Sequence, residues 1–321
     1  MFAWRKRGRI FNPADHRNGT WLNEFAQAPS VVVLDDVVRV YFSCRPAPAP
    51  DGKYVSYSAY VDLDRKDLFT IREVAKEPIL PLGGLGCFDE FGIYPVSVIR
   101  NGEEFWAYYT GHTRCESVPF TTAIGLATSR DGRVFSRMGP GPVISYSLDE
   151  PFVMSGPKIR KFGDTFYLWY ISGKKWIEEN GRKEVVYKIR MATSQDGMAW
   201  RKENRDIIAD KIDEHETQAS PDVFFDGGLY HMFFCYKHAS GFREDKARSY
   251  RIGYASSRDL KNWERNDDLA GIGVSESGWD SDMVAYPHVF ALDGKIYMLY
   301  LGNEVGKYGF GLAELEGGLT P

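Results

Sequence analysis

Five prolines, Pro29, Pro95, Pro157, Pro221 and Pro287, recur along the 321-residue chain at intervals of 66, 62, 64 and 66 residues. Each opens the same phrase, an apolar run, a turn and an aromatic run: PSVVVLDDVVRVYFSCR, PVSVIRNGEEFWAYYTGHTR, PKIRKFGDTFYLWYISGKK, PDVFFDGGLYHMFFCYKH and PHVFALDGKIYMLYLGNE. A repeat of this length over nearly the whole chain confines it to architectures in which equivalent units bury their apolar faces on one another.

Inside each phrase apolar residues alternate, with β-branched and aromatic residues at the strand positions. Asn101-Gly102, Gly163-Asp164, Gly227-Gly228 and Asp293-Gly294 supply hairpin turns. A second hairpin follows in the middle repeats, AIGLATSRDGRVFSR, KIRMATSQDGMAWRK and RIGYASSRDLKNWER, turning at Asp131-Gly132, Asp196-Gly197 and Asp259-Leu260. Two hairpins make a four-stranded antiparallel sheet, and about 4–8 such sheets around an axis make a propeller. The expectation is an all-β, five-bladed β-propeller forming one domain over residues 1–321. The fifth repeat ends at GFGLAELEG without an outer strand, while Trp4–Ile10 (WRKRGRI) resembles Trp200–Ile207 (WRKENRDI). The N-terminal segment is therefore expected to close the last blade and remove an open edge.

Bulk properties exclude several classes. A formal net charge of −4 lacks the basic footprint of a general nucleic-acid binder. No apolar stretch approaches the ~18 residues of a membrane span. FAWRKRGRIF after Met1 has no apolar signal region, so a cytoplasmic protein is expected. Cys44, Cys87, Cys115 and Cys235 show neither disulfide nor metal spacing and read as reduced thiols; His112 and Cys115 are spaced like half a zinc site without a second half. No cofactor is required by any motif.

Acidic residues gather just before each proline. Five positions back stand Glu24, Glu90, Phe152, Glu216 and Asp282; seven back stand Leu22, Phe88, Glu150, Glu214 and Asp280, with Asp89 and Asp149 beside them. Equivalent positions of blades share one axis, so these carboxylates are expected to converge on a central funnel, where crowded like charges cost stability unless something uses them. A second ring follows each phrase: Arg45, His112 with Arg114, Lys174, Lys237 with His238, and Asn303 with Glu304. Arg suits bidentate capture of carboxylate or phosphate and Lys serves as a point charge, so the funnel is expected to take a polar ligand with an anionic part. The Ser-x-Asp-Gly segments are tight turns, structural and remote from the axis.

Paired carboxylates across a cleft cleave glycosidic bonds, one protonated as general acid and the other activating water or attacking the sugar. Trp21, Phe91, Tyr94, Trp176 and Trp279 could stack on sugar faces or pack between blades. There is no Ser-His-Asp order, Gly-rich phosphate loop or Rossmann fingerprint.

On the five phrases, the acidic residues before the prolines and the ATSxDGxxW-type turns, the whole chain resembles the five-bladed β-propeller glycosidase superfamily. That superfamily includes glycoside hydrolase families 43, 32 and 62 and the family 130 mannoside phosphorylases. GGLGCFDEFGIYP, LDEPFVMSGP, HETQASPDV and WDSDMVAYPHVF look like proteins of bacterial surface-polysaccharide gene clusters. Glu24 follows Asn23 where family 43 has an Asp, and the Asn-Asp-Pro and Arg-Asp-Pro segments of family 32 do not occur. The resemblance implies an inverting hydrolase or phosphorylase acting on an oligosaccharide, with inorganic phosphate as co-substrate in the phosphorylase case. Asp89, Glu150 and Glu216 are the expected acid and base residues. Glu24, Glu90, Asp282 and Glu304 would bind hydroxyls or shape pKa, and Arg45, His112, Arg114, Lys174, Lys237 and His238 would hold an anionic group. Some superfamily members hold calcium on the axis, to which Glu216, Asp282 or His288 would contribute. The alternatives are a sugar transferase using an activated donor and a non-catalytic glycan-binding propeller.

Overall fold

The computed structural model describes residues 1–17, 21–50 and 52–319. Its strands form five four-stranded antiparallel sheets around one axis. Strand β1 (Ala3–Phe11) stands apart at the start of the chain. Blade one comprises β2 (Glu24–Val33), β3 (Val37–Arg45), β4 (Tyr57–Asp64) and β5 (Ile71–Val74); blade two comprises β6 (Ile93–Asn101), β7 (Glu104–Arg114), β8 (Phe120–Ser129) and β9 (Ser136–Arg137). Blade three holds β10 (Met154–Phe162), β11 (Thr165–Glu179), β12 (Arg182–Ser194) and β13 (Arg201–Lys202). Blade four holds β14 (Glu216–Asp226), β15 (Leu229–His238), β16 (Arg251–Ser257) and β17 (Glu264–Arg265). Blade five holds β18 (Ala285–Leu292), β19 (Lys295–Leu301) and β20 (Phe310–Glu316), and β1 completes it as the outer strand, with Trp4 opposite Leu315. The propeller and its N-terminal closure are as the repeat predicts.

The five prolines do the same structural job. In each innermost strand the ladder slips by one residue across the pair formed by the proline and its predecessor: between Gln27 and Ser30, Ile93 and Val96, Ser155 and Lys158, Ala219 and Asp222, and Ala285 and His288. Proline has no N–H to lose from the ladder, so a bulge is where it belongs. In four blades the residue before the proline is left-handed (Ala28, Gly156, Ser220 and Tyr286, φ 50° to 64°), and in blade two the Tyr94–Pro95 peptide is cis. The bulge turns these five predecessors toward one end of the axis.

Residues just beyond the prolines stitch neighbouring inner strands together. Ser30 Oγ accepts from Val98 N, Ser97 Oγ from Ile159 N, Asp222 Oδ2 from Val289 N and His288 Nε2 from Val31 N. At the remaining joint, between blades three and four, Arg160 donates to Asp222 at 2.9 Å, while Lys158 Nζ reaches across the axis to the Pro29 carbonyl at 3.1 Å. Because His288 Nε2 accepts, the ring proton sits on Nδ1, which faces Asp222 Oδ1 at 3.3 Å. Burial would raise the Asp222 pKa, but Arg160 and His288 hold it well below the carboxylate range.

Aromatic packing fills the space between blades. Trp106 of blade two lies parallel to Phe166 of blade three at 6.0 Å, and Phe11 meets Phe42 at 4.9 Å across the closure of the ring. The Ser-x-Asp turns are structural, as expected: Asp196 Oδ1 accepts from Met198 N and Ala199 N at 2.8 Å, and the Gly197 carbonyl accepts from Tyr108 of the previous blade. No helix among the described residues is long and apolar enough to cross a membrane.

Candidate active-site funnel

At one end of the axis the loops enclose a funnel of about 730 Å3, to which every blade contributes. Blade one supplies Gln27 and Arg45, blade two Tyr94, His112 and Phe120, and blade three Glu184, Val185 and Tyr187. Blade four supplies Lys237, Arg243, Lys246 and Tyr250, and blade five Asp282, Tyr286 and Glu304. A groove of about 960 Å3 opens from the same wall, lined by Arg45, Phe91, Arg114, Arg182, Lys183 and Arg243 among others.

The funnel is joined across the axis by phenols. Tyr94 donates to the Tyr286 hydroxyl at 3.0 Å, and the Tyr187 and Tyr250 hydroxyls are 3.1 Å apart. Burial raises the pKa of all four, so they remain neutral donors and acceptors. Two of them, Tyr94 and Tyr286, occupy the position before the proline.

Cations in the funnel are held by aromatic faces. The Arg45 guanidinium lies over Phe25, Tyr54 and Tyr94 at 4.7, 5.0 and 5.6 Å, and Arg114 lies over Phe91 at 4.5 Å. Neither forms an ion pair with a carboxylate among the described residues, whereas Arg243 meets Glu184 at 2.5 Å. Lys237 Nζ lies 3.6 Å from the centre of the Phe242 ring and donates to the His238 carbonyl at 3.1 Å; burial pulls its pKa down to about 7. His112 donates from Nε2 to the Tyr94 carbonyl at 2.9 Å, and burial lowers its pKa to about 4, so it is neutral. Asp282 is kept ionised by Lys246, 2.5 Å away, and Glu304 by the Tyr308 hydroxyl at 2.7 Å and by Lys307.

Arg45, His112, Lys237, Asp282 and Glu304 thus line one funnel, with Arg114 in the adjoining groove. The expected convergence of Asp89, Glu150 and Glu216 is corrected: each is enclosed within its own blade. Arg137 lies 2.6 Å from Asp89, Lys202 lies 2.5 Å from Glu150 and Arg265 lies 2.7 Å from Glu216. Asp280 repeats the arrangement with Lys6 at 2.7 Å. Tyr109, Tyr170 and Tyr300 donate to Asp89, Glu150 and Asp280 respectively. The crowding inferred for these carboxylates does not occur, because each has a cation on the outermost strand of the same sheet.

Four other expected residues do not line the funnel. Glu24 begins β2 opposite Arg45, and Glu90 accepts from Gly86 N within its own loop. Lys174 pairs with Asp206 at 3.1 Å, and His238 lies 3.5 Å from Asp213. The carboxylates and imidazole considered for calcium do not meet: Glu216 is clasped by Arg265, Asp282 by Lys246, and His288 lies in the axial network. No group of three or more His, Cys, Asp or Glu arranged for a metal ion occurs among the described residues, Cys115 and His112 included. Of the rim aromatics, Phe91 and Tyr94 line the cavities, while Trp21, Trp176 and Trp279 pack on Tyr57, Phe120 and Tyr300. Sequence reasoning missed Glu184, Tyr187, Arg243, Lys246, Tyr250 and Tyr286. Only Tyr286 carried a signal, its place before a repeat proline.

No family model matches the chain. An uncharacterized protein of Mycobacterium tuberculosis (strain H37Rv), Rv1502, is 37% identical over 315 residues, covering 98% of this chain and 99% of the relative. The β-1,2-mannobiose phosphorylase of Thermoanaerobacter sp. (strain X514) is 22% identical over 177 residues, or 52% of this chain and 54% of that protein. Among solved structures, a glycoside hydrolase superposes with a TM-score of 0.74 at 16% identity, covering 99% of this chain and 93% of that one. The chain belongs to the family of the M. tuberculosis protein Rv1502, built on the five-bladed β-propeller fold found among glycoside hydrolases.

Proposed function

We propose that this protein acts at a glycosidic bond of an oligosaccharide held in the funnel, as a hydrolase or phosphorylase. The observation that carries the reading is the convergence on one funnel of ionised carboxylates, a lysine whose pKa burial pulls down to about 7, and a ring-stacked arginine that has no ion pair among the described residues. In this reading Asp282 stabilises positive charge developing on the sugar, and Lys237, with a pKa of about 7, delivers a proton to the departing oxygen. Tyr187 and Tyr286 hydrogen-bond sugar hydroxyls. Arg45 and Arg114 take an anionic group, either inorganic phosphate as the attacking species or an acidic substituent of the glycan. The likeness to a mannobiose phosphorylase over half the chain supports a place among carbohydrate-active proteins.

The test is mass-spectrometric detection of turnover on an oligosaccharide panel with and without phosphate. Sugar 1-phosphate formed only with phosphate identifies a phosphorylase; free sugar in both arms identifies a hydrolase. Turnover that survives both Asp282→Asn and Lys237→Met unchanged would sink the assignment of roles.

A second reading, a glycan-binding propeller without turnover, is favoured by one observation. The five residues before the prolines, Ala28, Tyr94, Gly156, Ser220 and Tyr286, line the floor of the funnel and include no carboxylate. It predicts glycan binding with no product in either arm.

A further inference from the structure

The groove that opens from the funnel carries a charge surplus of its own. Arg45, Tyr54, Glu184 and Arg243 line both spaces, which are therefore continuous. The groove adds Lys53, Arg114, Arg182 and Lys183, while its described lining carboxylates are Glu116 and Glu184. This concentration of positive charge sits in a chain whose formal net charge is −4, and a cleft lined by one sign of charge draws in ligands of the other. Part of the surplus is matched within the protein: Arg243 meets Glu184 at 2.5 Å and Arg182 meets Glu244 at 2.6 Å. Arg45, Arg114 and Lys183 form no ion pair with a carboxylate among the described residues. Arg45 Nε donates to Ser56 Oγ at 3.3 Å and Lys183 Nζ to the Ser117 carbonyl at 2.7 Å, which leaves each with further N–H donors. Arg114 lies on the face of Phe91, and a guanidinium stacked on a ring keeps its edge for bidentate capture of an anion.

The positions of these cations limit what they hold. Arg45 stands at the junction, whereas Arg114 and Lys183 line the groove and not the funnel. An anion bound to that pair lies outside the funnel, away from the bond acted on, so it serves recognition and not attack. The groove, at about 960 Å3, also has far more room than a single phosphate ion fills. Arg45 and Arg114 already occupy faces of Tyr54 and Phe91, and Phe120 packs edge-on with Trp176, which counts against a stacked nucleobase. We propose that the groove is the subsite for an acidic flank of the glycan. The sugar acted on lies in the funnel, and the residue next to it presents a carboxylate or a phosphodiester to Arg114 and Lys183. The assignment rests on the carbohydrate reading of the funnel and makes the substrate an acidic oligosaccharide.

Paired ligands test it and separate the two anions: uronate oligosaccharides with their methyl esters, and oligosaccharides bearing glycerol phosphate with the same chains after its removal. Affinities are read by calorimetry at low and at raised salt. The expected result is at least about tenfold tighter binding of the acidic member in one pair, with the gap narrowing as salt is raised. The pair that shows the gap names the anion. Arg114→Gln combined with Lys183→Gln should remove most of the gap and leave affinity for the neutral member as it was, with the melting temperature reporting that the variant is folded. Equal affinities within every pair, or a gap that survives the double variant, overturn the groove assignment while leaving the funnel reading intact. Inorganic phosphate bound alone as tightly as the acidic member also overturns it, because the groove is then a phosphate site. If no oligosaccharide binds, the carbohydrate reading falls and takes this assignment with it.

Discussion

Lys202 Nζ lies 2.5 Å from Glu150 Oε2 inside blade three, so that a cation of the outermost strand grips the carboxylate of the loop leading into the innermost one. Glu150 is fully buried and also accepts from the Tyr170 hydroxyl at 2.8 Å. Arg190 Nη1, 3.3 Å from Glu150 Oε1, is a second cation there, so removing Lys202 costs part of the roughly 3–5 kcal/mol of a fully broken buried pair. Lys202→Met should therefore lower the urea midpoint markedly. Glu150→Gln should do likewise, yet leave the glycan affinity of the folded fraction unchanged. An affinity loss without a stability loss would return Glu150 to the site.

Asp222 sets the acid limit of the fold. Its folded pKa lies below the unfolded value of ~3.9, so the unfolded chain takes up the proton first as pH falls. The stability it supplies is complete above about pH 4 and is lost progressively below it. In Asp222→Asn that acid-dependent part should vanish, with a general loss of roughly 3–5 kcal/mol as Arg160 is left unpaired. Urea titrations of both proteins at a series of pH values between neutral and strongly acidic check this.

Lys237 gives a slope of the same sign in a higher pH window. Its folded pKa of about 7 is below the ~10.4 of an unfolded lysine, so between those values the unfolded chain binds more protons and stability rises with pH. Lys158, lowered by burial to about 8, adds to the same slope. Lys237→Met should flatten the alkaline rise in thermal stability. If Lys237 is the proton donor, turnover in the wild type should fall as pH passes above about 7.

Two glycines distinguish backbone strain from contact. Gly163 and Gly197 are both left-handed, at φ +58° and +73°. A Cβ on Gly163 meets nothing, whereas one on Gly197 would lie 2.6 Å from Trp106 and 2.7 Å from the Tyr108 hydroxyl. Gly163→Ala should cost about 1–2 kcal/mol from conformation alone. Gly197→Ala should cost more, because it also pushes blade two away from the turn of blade three. Equal melting temperatures for the two variants would contradict this account.

The blades were legible because a repeat states its own period, and the closure by β1 because Trp4-Arg5-Lys6 copies Trp200-Arg201-Lys202. That same copy held the key to the acidic ring. Phe135-Ser136-Arg137, Trp200-Arg201-Lys202, Trp263-Glu264-Arg265 and Trp4-Arg5-Lys6 each place a cation two residues after an aromatic, on the same strand face. Those cations are the partners of Asp89, Glu150, Glu216 and Asp280. Offsets from the prolines ordered the carboxylates correctly but carried no information on where a side chain points. Glu184, Arg243 and Lys246 were illegible for another reason: they stand on blade-specific extensions that no other repeat echoes.

The pairing of Trp4 with Leu315 has a consequence for how the protein is made. β1 is synthesised well before β20, and it finds its neighbour across a sequence separation that puts this contact among the slowest kinds to form. Until β20 is synthesised, β1 remains an unpaired edge on a nascent chain, open to pairing with other molecules. Translation stalled before Phe310 would leave four complete blades and an orphaned strand, so a break late in the chain exposes an edge at its start.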